Sequence, residues 1–336
     1  MGEARARFYA GNPDFELVGV ADPTASRRLR LAEAFPGVDA YHSAQDMLAK
    51  RQADLIDICS PPVAHASQIR MALQTGCHVV CEKPMVTRFG DLRALVSLSQ
   101  SVGRVLYAAH NHRFSSAVGF LKAMHDGGEL GSVREGEMRV VRTGHARGVS
   151  DWRPDWRRDY DVAGGGILND HGTHCIYTAA VIAGAWPSAV SCAISPNGTA
   201  HHAERNAALR MITGDIEWSI NLTWDGATRS NSYAITGNRG VASVNDAHAS
   251  VETATGLTEV ALPVETSGQT HSAWISPMVE DLCRAIRDPS HAAKRLDEAV
   301  ATARTLDAAY NSAGRGGGWI ELEPDESPPL AAVAGD

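Results

Sequence analysis

Leu55–Pro84 reads LIDICSPPVAHASQIRMALQTGCHVVCEKP, and its reading decides the fold. Leu55–Cys59 is a short apolar run that Ser60-Pro61-Pro62 breaks. Helical spacing runs from Ala64 to Thr75 and stops at Gly76, a residue that tolerates the left-handed position after a helix. His78–Cys81 is a second apolar run, stopped by Glu82-Lys83-Pro84. Parallel strands need a long crossover, so two such runs joined by a helix predict a βαβ unit. Working outward, Glu16–Ala21 predicts a strand ending on Asp22, and Thr24 caps a helix closed by Pro36-Gly37. A helix over about 90–101 leads to a strand at Val105–Ala109. Beyond residue 130 the period changes. Ile216, Trp218, Ile220, Leu222 and Trp224 alternate with Glu217, Ser219, Asn221 and Thr223, a strand with one covered face. Similar runs fall near 133–143, 188–195, 206–213, 231–236 and 258–264, with helices at about 166–183, 273–287 and 293–310. The expected architecture is an α/β domain with a Rossmann-type parallel sheet over 1–110. An α+β domain with a large, mainly antiparallel open sheet follows over 111–323, then a frayed tail over 324–336.

Composition narrows the function classes. The 336 residues are 44% apolar and 21% charged, which suits two ordinary globular domains. A formal net charge of −8 argues against a general nucleic-acid binder. No apolar stretch reaches the length of a membrane span. The cysteines (Cys59, Cys77, Cys81, Cys175, Cys192, Cys283) form no C-x-x-C pair, so neither a zinc ribbon nor a redox dithiol is expected. The opening MGEARARFYAGNP lacks the apolar core of a signal peptide, and a cytoplasmic setting is the expectation.

Three places carry residues suited to chemistry. Asp22 ends a strand where a dinucleotide fold hydrogen-bonds the adenosine ribose; a helix-capping Asp is the equal alternative. Gly2 lies 20 residues upstream, where the last glycine of a G-x-G-x-x-G fingerprint belongs, and Glu3–Ala10 would be the helix that opens on the pyrophosphate. The turns holding Ser60, Pro61 and His65, and Glu82 and Lys83, follow buried strands, the edge at which open α/β sheets bind ligands. Gly164-Gly165-Gly166-Ile167-Leu168-Asn169-Asp170-His171-Gly172-Thr173-His174 sets three glycines before an acid and a histidine. On a helix Asp170 and His174, four apart, share one face, and Tyr177 continues it. A histidine beside a carboxylate suits proton transfer. No metal site is expected, because the histidine spacing is wrong for zinc and no third ligand is evident.

The sequence resembles the Gfo/Idh/MocA oxidoreductases (glucose–fructose oxidoreductase and inositol dehydrogenase-like proteins) over nearly its whole length. The resemblance rests on VGVADP (Val18–Pro23), ICSPPVAH (Ile58–His65), GCHVVCEKP (Gly76–Pro84), HNHRF (His110–Phe114), GGELGSV (Gly127–Val133), GGGILNDHGTH (Gly164–His174) and TGNRGVASV (Thr236–Val244). It implies hydride transfer between a nicotinamide and a hydroxyl or carbonyl carbon of a sugar, cyclitol or related polyol. It implies a catalytic group of Lys83, Asp170 and His174, in which His174 exchanges the hydroxyl proton, Lys83 donates to the same oxygen and Asp170 orients the substrate or His174. It implies NAD contacts from Gly2, Asp22, Ser60, Pro61, His65, Glu82 and Lys83, substrate contacts from Asn111, Arg113, Trp156 and Tyr177, and a homo-oligomer through the second-domain sheet. The family usually has Asp where this chain has Tyr177. Two other functions stay open on the same residues, an NAD-dependent redox-elimination glycosidase and a catalytically silent sugar or dinucleotide sensor.

A first strand with its glycine loop is absent from these residues. Its loss would remove stability comparable to the ~5–15 kcal/mol of a normal domain. The expectation is therefore a start assigned at an internal Met, with an apolar strand and G-x-G-x encoded upstream. Asp22 repels a 2′-phosphate and favours NAD, while Arg27 and Arg28 leave NADP open. Titration should show tighter NAD than NADP binding, with Asp22→Ala narrowing the gap. Equal or tighter NADP binding by the unmutated protein would mean that the arginines dominate.

Overall fold

The computed structural model describes residues 1–195, 203–263 and 272–323. The tail expected to fray, 324–336, lies outside the described residues. The first part alternates α1 (Gly2–Ala10), β1 (Gly19–Ala21), α2 (Ala25–Ala34), β2 (Asp39–Tyr41), α3 (Ala44–Lys50), β3 (Leu55–Ile58), α4 (His65–Gln74), β4 (His78–Cys81), α5 (Phe89–Ser101) and β5 (Leu106–Ala108). All its strand pairs are parallel. β4 is the central strand of the β3-β4-β5 sheet, which explains its unbroken apolar run. Val79 and Cys81 pack with α4 and α5, and Val80 faces the opposite side.

This parallel region divides into a β1-β2 pair and the three-stranded β3-β4-β5 sheet. The break falls between the strands that a central strand would join in a 3-2-1-4-5-6 order. α1 ties the two pieces. Ala6 clusters with Leu31 and Phe35, and Tyr9 donates to Asp57 on β3 at 2.8 Å.

After α6 (Ser116–Gly127) come β6 (Val133–Val141), α7 (Tyr160–Ala163), α8 (Thr173–Ala183), β7 (Pro187–Ile194), β8 (Asn206–Thr213), β9 (Ile216–Thr223), β10 (Ser230–Gly237), β11 (Gly240–Asn245), β12 (His248–Thr253) and β13 (Gly256–Ala261). The chain closes with α9 (Ile275–Arg287), α10 (Pro289–Gly314) and β14 (Ile320–Glu321). The large sheet has the order β13-β12-β11-β10-β6-β9-β8-β7-β14, antiparallel except for the parallel β6–β9 pair. The period-two pattern holds. Trp218, Ile220 and Leu222 face the core with Met138, Leu209 and Ile176, while Glu137, Arg139, Glu217 and Arg210 point outward. β2, α3, α6, α7, β11, β12 and β14 were not legible in the sequence. β11 presents Ala242 and Val244 and β12 presents Ala249 to the core, and Val241 on the opposite face of β11 blurs the alternation.

α9 and α10 also cover the parallel sheet, where Ile275, Met278 and Leu282 pack on Val80 and Tyr107, and Leu296 and Ala299 join the β4 cluster. Among the described residues no helix is long and apolar enough to cross a membrane. Gly136 on β6 is paired with Trp218 on β9, and a Cβ there would lie 2.3 Å from the indole ring. The glycine is thus a packing requirement within a strand. Gly136→Ala should destabilise the protein by about 1–3 kcal/mol through overpacking. Urea unfolding measures it, and an unchanged midpoint would contradict this packing.

Candidate active site

Asp22 and Glu82 follow β1 and β4 directly and Ser60 lies one residue beyond Cys59 at the end of β3, so all three sit at the carboxyl ends of parallel strands. Asp22 accepts from Thr24 N at 2.9 Å and from Arg27 Nε at 2.7 Å, and Arg28 donates to the Asp22 and Pro23 carbonyls. A ribose hydroxyl meeting this carboxylate would share it with Arg27. Gly2 opens α1 against the end of β3, where a Cβ would lie 3.2 Å from Cys59 Cβ. A helix N-terminus, an acid and two strand-end turns on one edge fit a dinucleotide. Pro61 precedes a single 3₁₀ turn, and Ser60 Oγ donates to Gln68 Oε1 at 2.7 Å. One expected contact, His65, faces inward instead, and Glu82 is engaged by Arg5. His65 is fully buried, its ring nitrogens 2.7 Å from the Ser60 carbonyl and 2.8 Å from the Pro84 carbonyl, so it ties the two turns together. Glu82 accepts from Arg5 at 2.8 Å, and Arg5 is itself buried beside Asp57 and Cys59.

Lys83 reaches across to the second half of the chain. Its Nζ lies 2.9 Å from Asp170 Oδ1 and also donates to the Asp170 backbone carbonyl. Arg157 Nε at 3.8 Å and His171 Nδ1 at 3.4 Å flank the other carboxylate oxygen. Burial opposes ionisation of Asp170, yet Lys83, His171 and Arg157 hold its carboxyl far below the usual range. Arg157 also stacks on Trp156, 4.2 Å from the ring centre, which brings Trp156 to the rim of this cluster. The neighbouring loop touches the nucleotide edge, where Ser26 donates to Asp151.

Asp170 lies in a π turn, Leu168–Gly172, that precedes α8. The wider turn displaces it from the α-helical stripe shared by residues four apart, and its carboxylate faces Lys83. The glycine run serves packing. A Cβ on Gly165 would lie 2.0 Å from Tyr310 Oη, and one on Gly166 would lie 1.9 Å from the Glu204 carbonyl. The buried Glu204 carboxylate accepts from the Gly166 and Leu168 N–H groups at 2.8 and 3.0 Å and from Tyr310 at 2.9 Å, pinning the segment that carries Asp170.

The partner of His174 is Tyr177, whose hydroxyl lies 2.6 Å from Nδ1. Tyr177 is fully buried and stacks on His110 at 4.1 Å, which puts its ring in the protein rather than against substrate. Asn111 is also buried. Arg113 is turned onto Glu298, which accepts from His110 at 2.9 Å as well. Within the HNHRF segment His112 reaches the site, stacked on His174 at 3.7 Å with Trp274 edge-on.

Residues 1–110 match the family model described as the oxidoreductase family with an NAD-binding Rossmann fold, and residues 119–243 match the GFO/IDH/MocA C-terminal domain. The chain belongs to the Gfo/Idh/MocA oxidoreductases. D-glucoside 3-dehydrogenase of Escherichia coli is 31% identical over 182 residues, which is 54% of this chain and 50% of that protein. The chain thus matches that relative over half its length. A putative UDP-kanosamine synthase oxidoreductase subunit of Amycolatopsis mediterranei is 26% identical over 91% of this chain and 92% of its own length. A levoglucosan dehydrogenase solved with NADH and levoglucosan shares the fold, with a TM-score of 0.80, 19% identity and 96% of each chain covered.

In this Gfo/Idh/MocA chain the site also uses residues that the motifs did not mark. Arg5, Arg142 and Glu204 each stand alone in sequence and acquire partners only through folding. Arg142 Nε donates to His171 Nε2 at 3.1 Å, so the neutral His171 ring carries its proton on Nδ1, toward Asp170. Burial lowers the His171 pKa from 6.5 to about 3, against the pull of Asp170. A histidine lowered on folding contributes stability that is full above its unfolded value and lost as pH falls toward the folded one. Between pH 6.5 and about 3 the urea midpoint should fall, and His171→Gln should flatten that decline by up to about 1.4 kcal/mol per pH unit. Parallel declines in the two proteins would contradict this.

Proposed function

We propose that the protein is an NAD-dependent dehydrogenase that moves hydride between the nicotinamide and a hydroxyl or carbonyl carbon of a sugar or cyclitol. The observation that carries this reading is the Lys83–Asp170 ion pair, set at the carboxyl edge of the parallel sheet in a chain that also holds His174 at its second-domain wall. When bound, NAD supplies or takes the hydride. Asp22 and the N-terminus of α1 hold its adenosine end and pyrophosphate, and the Ser60 and Glu82 turns line its path toward Lys83. Lys83 and His174 act on the oxygen of the reacting carbon, one ammonium and one imidazole, and stabilise charge as it develops there. Asp170 keeps the ammonium in place. The names of the relatives support a sugar substrate, since one is a glucoside dehydrogenase and another a levoglucosan dehydrogenase.

The test is NADH formation with a panel of D-glucosides, levoglucosan and cyclitols, beside NAD titration. Lys83→Met should slow single-turnover NADH formation by about 10²–10⁴-fold. NAD affinity should change much less. Normal turnover by that variant on the same sugar would remove Lys83 from the reaction.

A further inference from the structure

The Tyr177 hydroxyl has two neighbours among the described residues. The His112 backbone N–H lies 3.1 Å away, and His174 Nδ1 lies 2.6 Å away. A backbone N–H can only donate, so the phenol oxygen accepts there. That leaves the phenol's own proton one acceptor, the lone pair on Nδ1. We propose that Tyr177 sets the tautomer of His174, so that the neutral ring carries its proton on Nε2 and meets the substrate oxygen as a hydrogen-bond donor instead of a base. The inference rests on the hydride-transfer reading of the site for its substrate and extends it to the role of one nitrogen.

Several features agree. Tyr177 is fully buried and clamped by the His110 ring, itself held by Glu298, so the hydroxyl cannot swing to another acceptor. Burial raises the Tyr177 pKa well above its ordinary value, so the phenol keeps its proton. Burial, with His112, Lys83, His171 and His110 around the ring, lowers the His174 pKa well below 6.5 and keeps it neutral near pH 7. Among the described residues nothing bonds Nε2, so this nitrogen is the one left for a ligand.

The site then offers two donors to one oxygen, the Lys83 ammonium and His174 Nε2–H. A carbonyl oxygen, which only accepts, satisfies both. With bound cofactor supplying hydride to the carbonyl carbon, the π pair would move to oxygen, and Lys83 would give that oxygen a proton, its N–H bond breaking as the O–H bond forms, before solvent reprotonates Lys83. His174 keeps its proton throughout. Tyr177 is a positioning residue and His174 the group it prepares.

Histidine ¹⁵N NMR of the full chain with NAD, assigned by the signal lost in His174→Gln, tests this. The expected spectrum has a protonated, pyrrole-type Nε2 and a pyridine-type Nδ1 shifted by accepting a hydrogen bond. Tyr177→Phe should move the Nδ1 signal back toward that of an unbonded nitrogen. Should that variant fail to fold, 3-fluorotyrosine, a more acidic donor, should move Nδ1 further in the same sense as the native bond. A pyridine-type Nε2 in the wild type, or an Nδ1 signal indifferent to Tyr177, would overturn the proposal. The spectrum needs no turnover. An inactive protein with the expected spectrum would defeat the dehydrogenase reading, whereas an active one with Nδ1–H would defeat the tautomer alone.

Discussion

The Lys83–Asp170 ion pair joins two structures that neither domain makes alone. Lys83 ends a strand of the parallel sheet, and Asp170 leads into a helix packed on the large mixed sheet. Both side chains are more than four-fifths buried, so each charge would be costly without the other. The rest of the site takes its geometry from this contact. Asp170 faces Lys83, Arg157 and His171, and His174 pairs with Tyr177.

Holding that contact requires a rigid approach on both sides. On the first side His65 clamps the Ser60 and Glu82–Pro84 turns from within, and Arg5 anchors Glu82 from α1. On the second side Glu204 and Tyr310 grip the glycine run so closely that side chains at Gly165 or Gly166 would collide with them. Site and scaffold are thus one hydrogen-bonded object.

The two halves are also tied by α10. Glu298 binds His110 and Arg113 from the end of the parallel sheet, and Arg295 bridges Glu298 to Asp281 on α9. Glu298 has its carboxyl held below the usual range because the His110 hydrogen bond and the Arg113 and Arg295 guanidinium groups outweigh burial. This network fixes His110, whose ring backs Tyr177, so a contact remote from the reacting atoms reaches His174 through stacking.

The sequence by itself determined the layers and the strand-end turns. Apolar period, Gly76 and the Ser60-Pro61-Pro62 and Glu82-Lys83-Pro84 breaks are local signals, written where they act. Asp22, Lys83, Asp170 and His174 were legible for the same reason, each standing beside a strand end or a glycine run. Partners were not legible. The four-residue spacing of Asp170 and His174 suggested a pair, and a π turn undid it by widening the helix between them. Tyr177 and Arg113 read as substrate contacts and fold inward to His174 and Glu298, while Glu204 carries no motif that marks its role and the HNHRF motif alone does not single out His112. A side chain's direction depends on which charges and rings surround it. Those come from segments up to 188 residues away, such as Glu298 against His110, and only the tertiary structure brings them together.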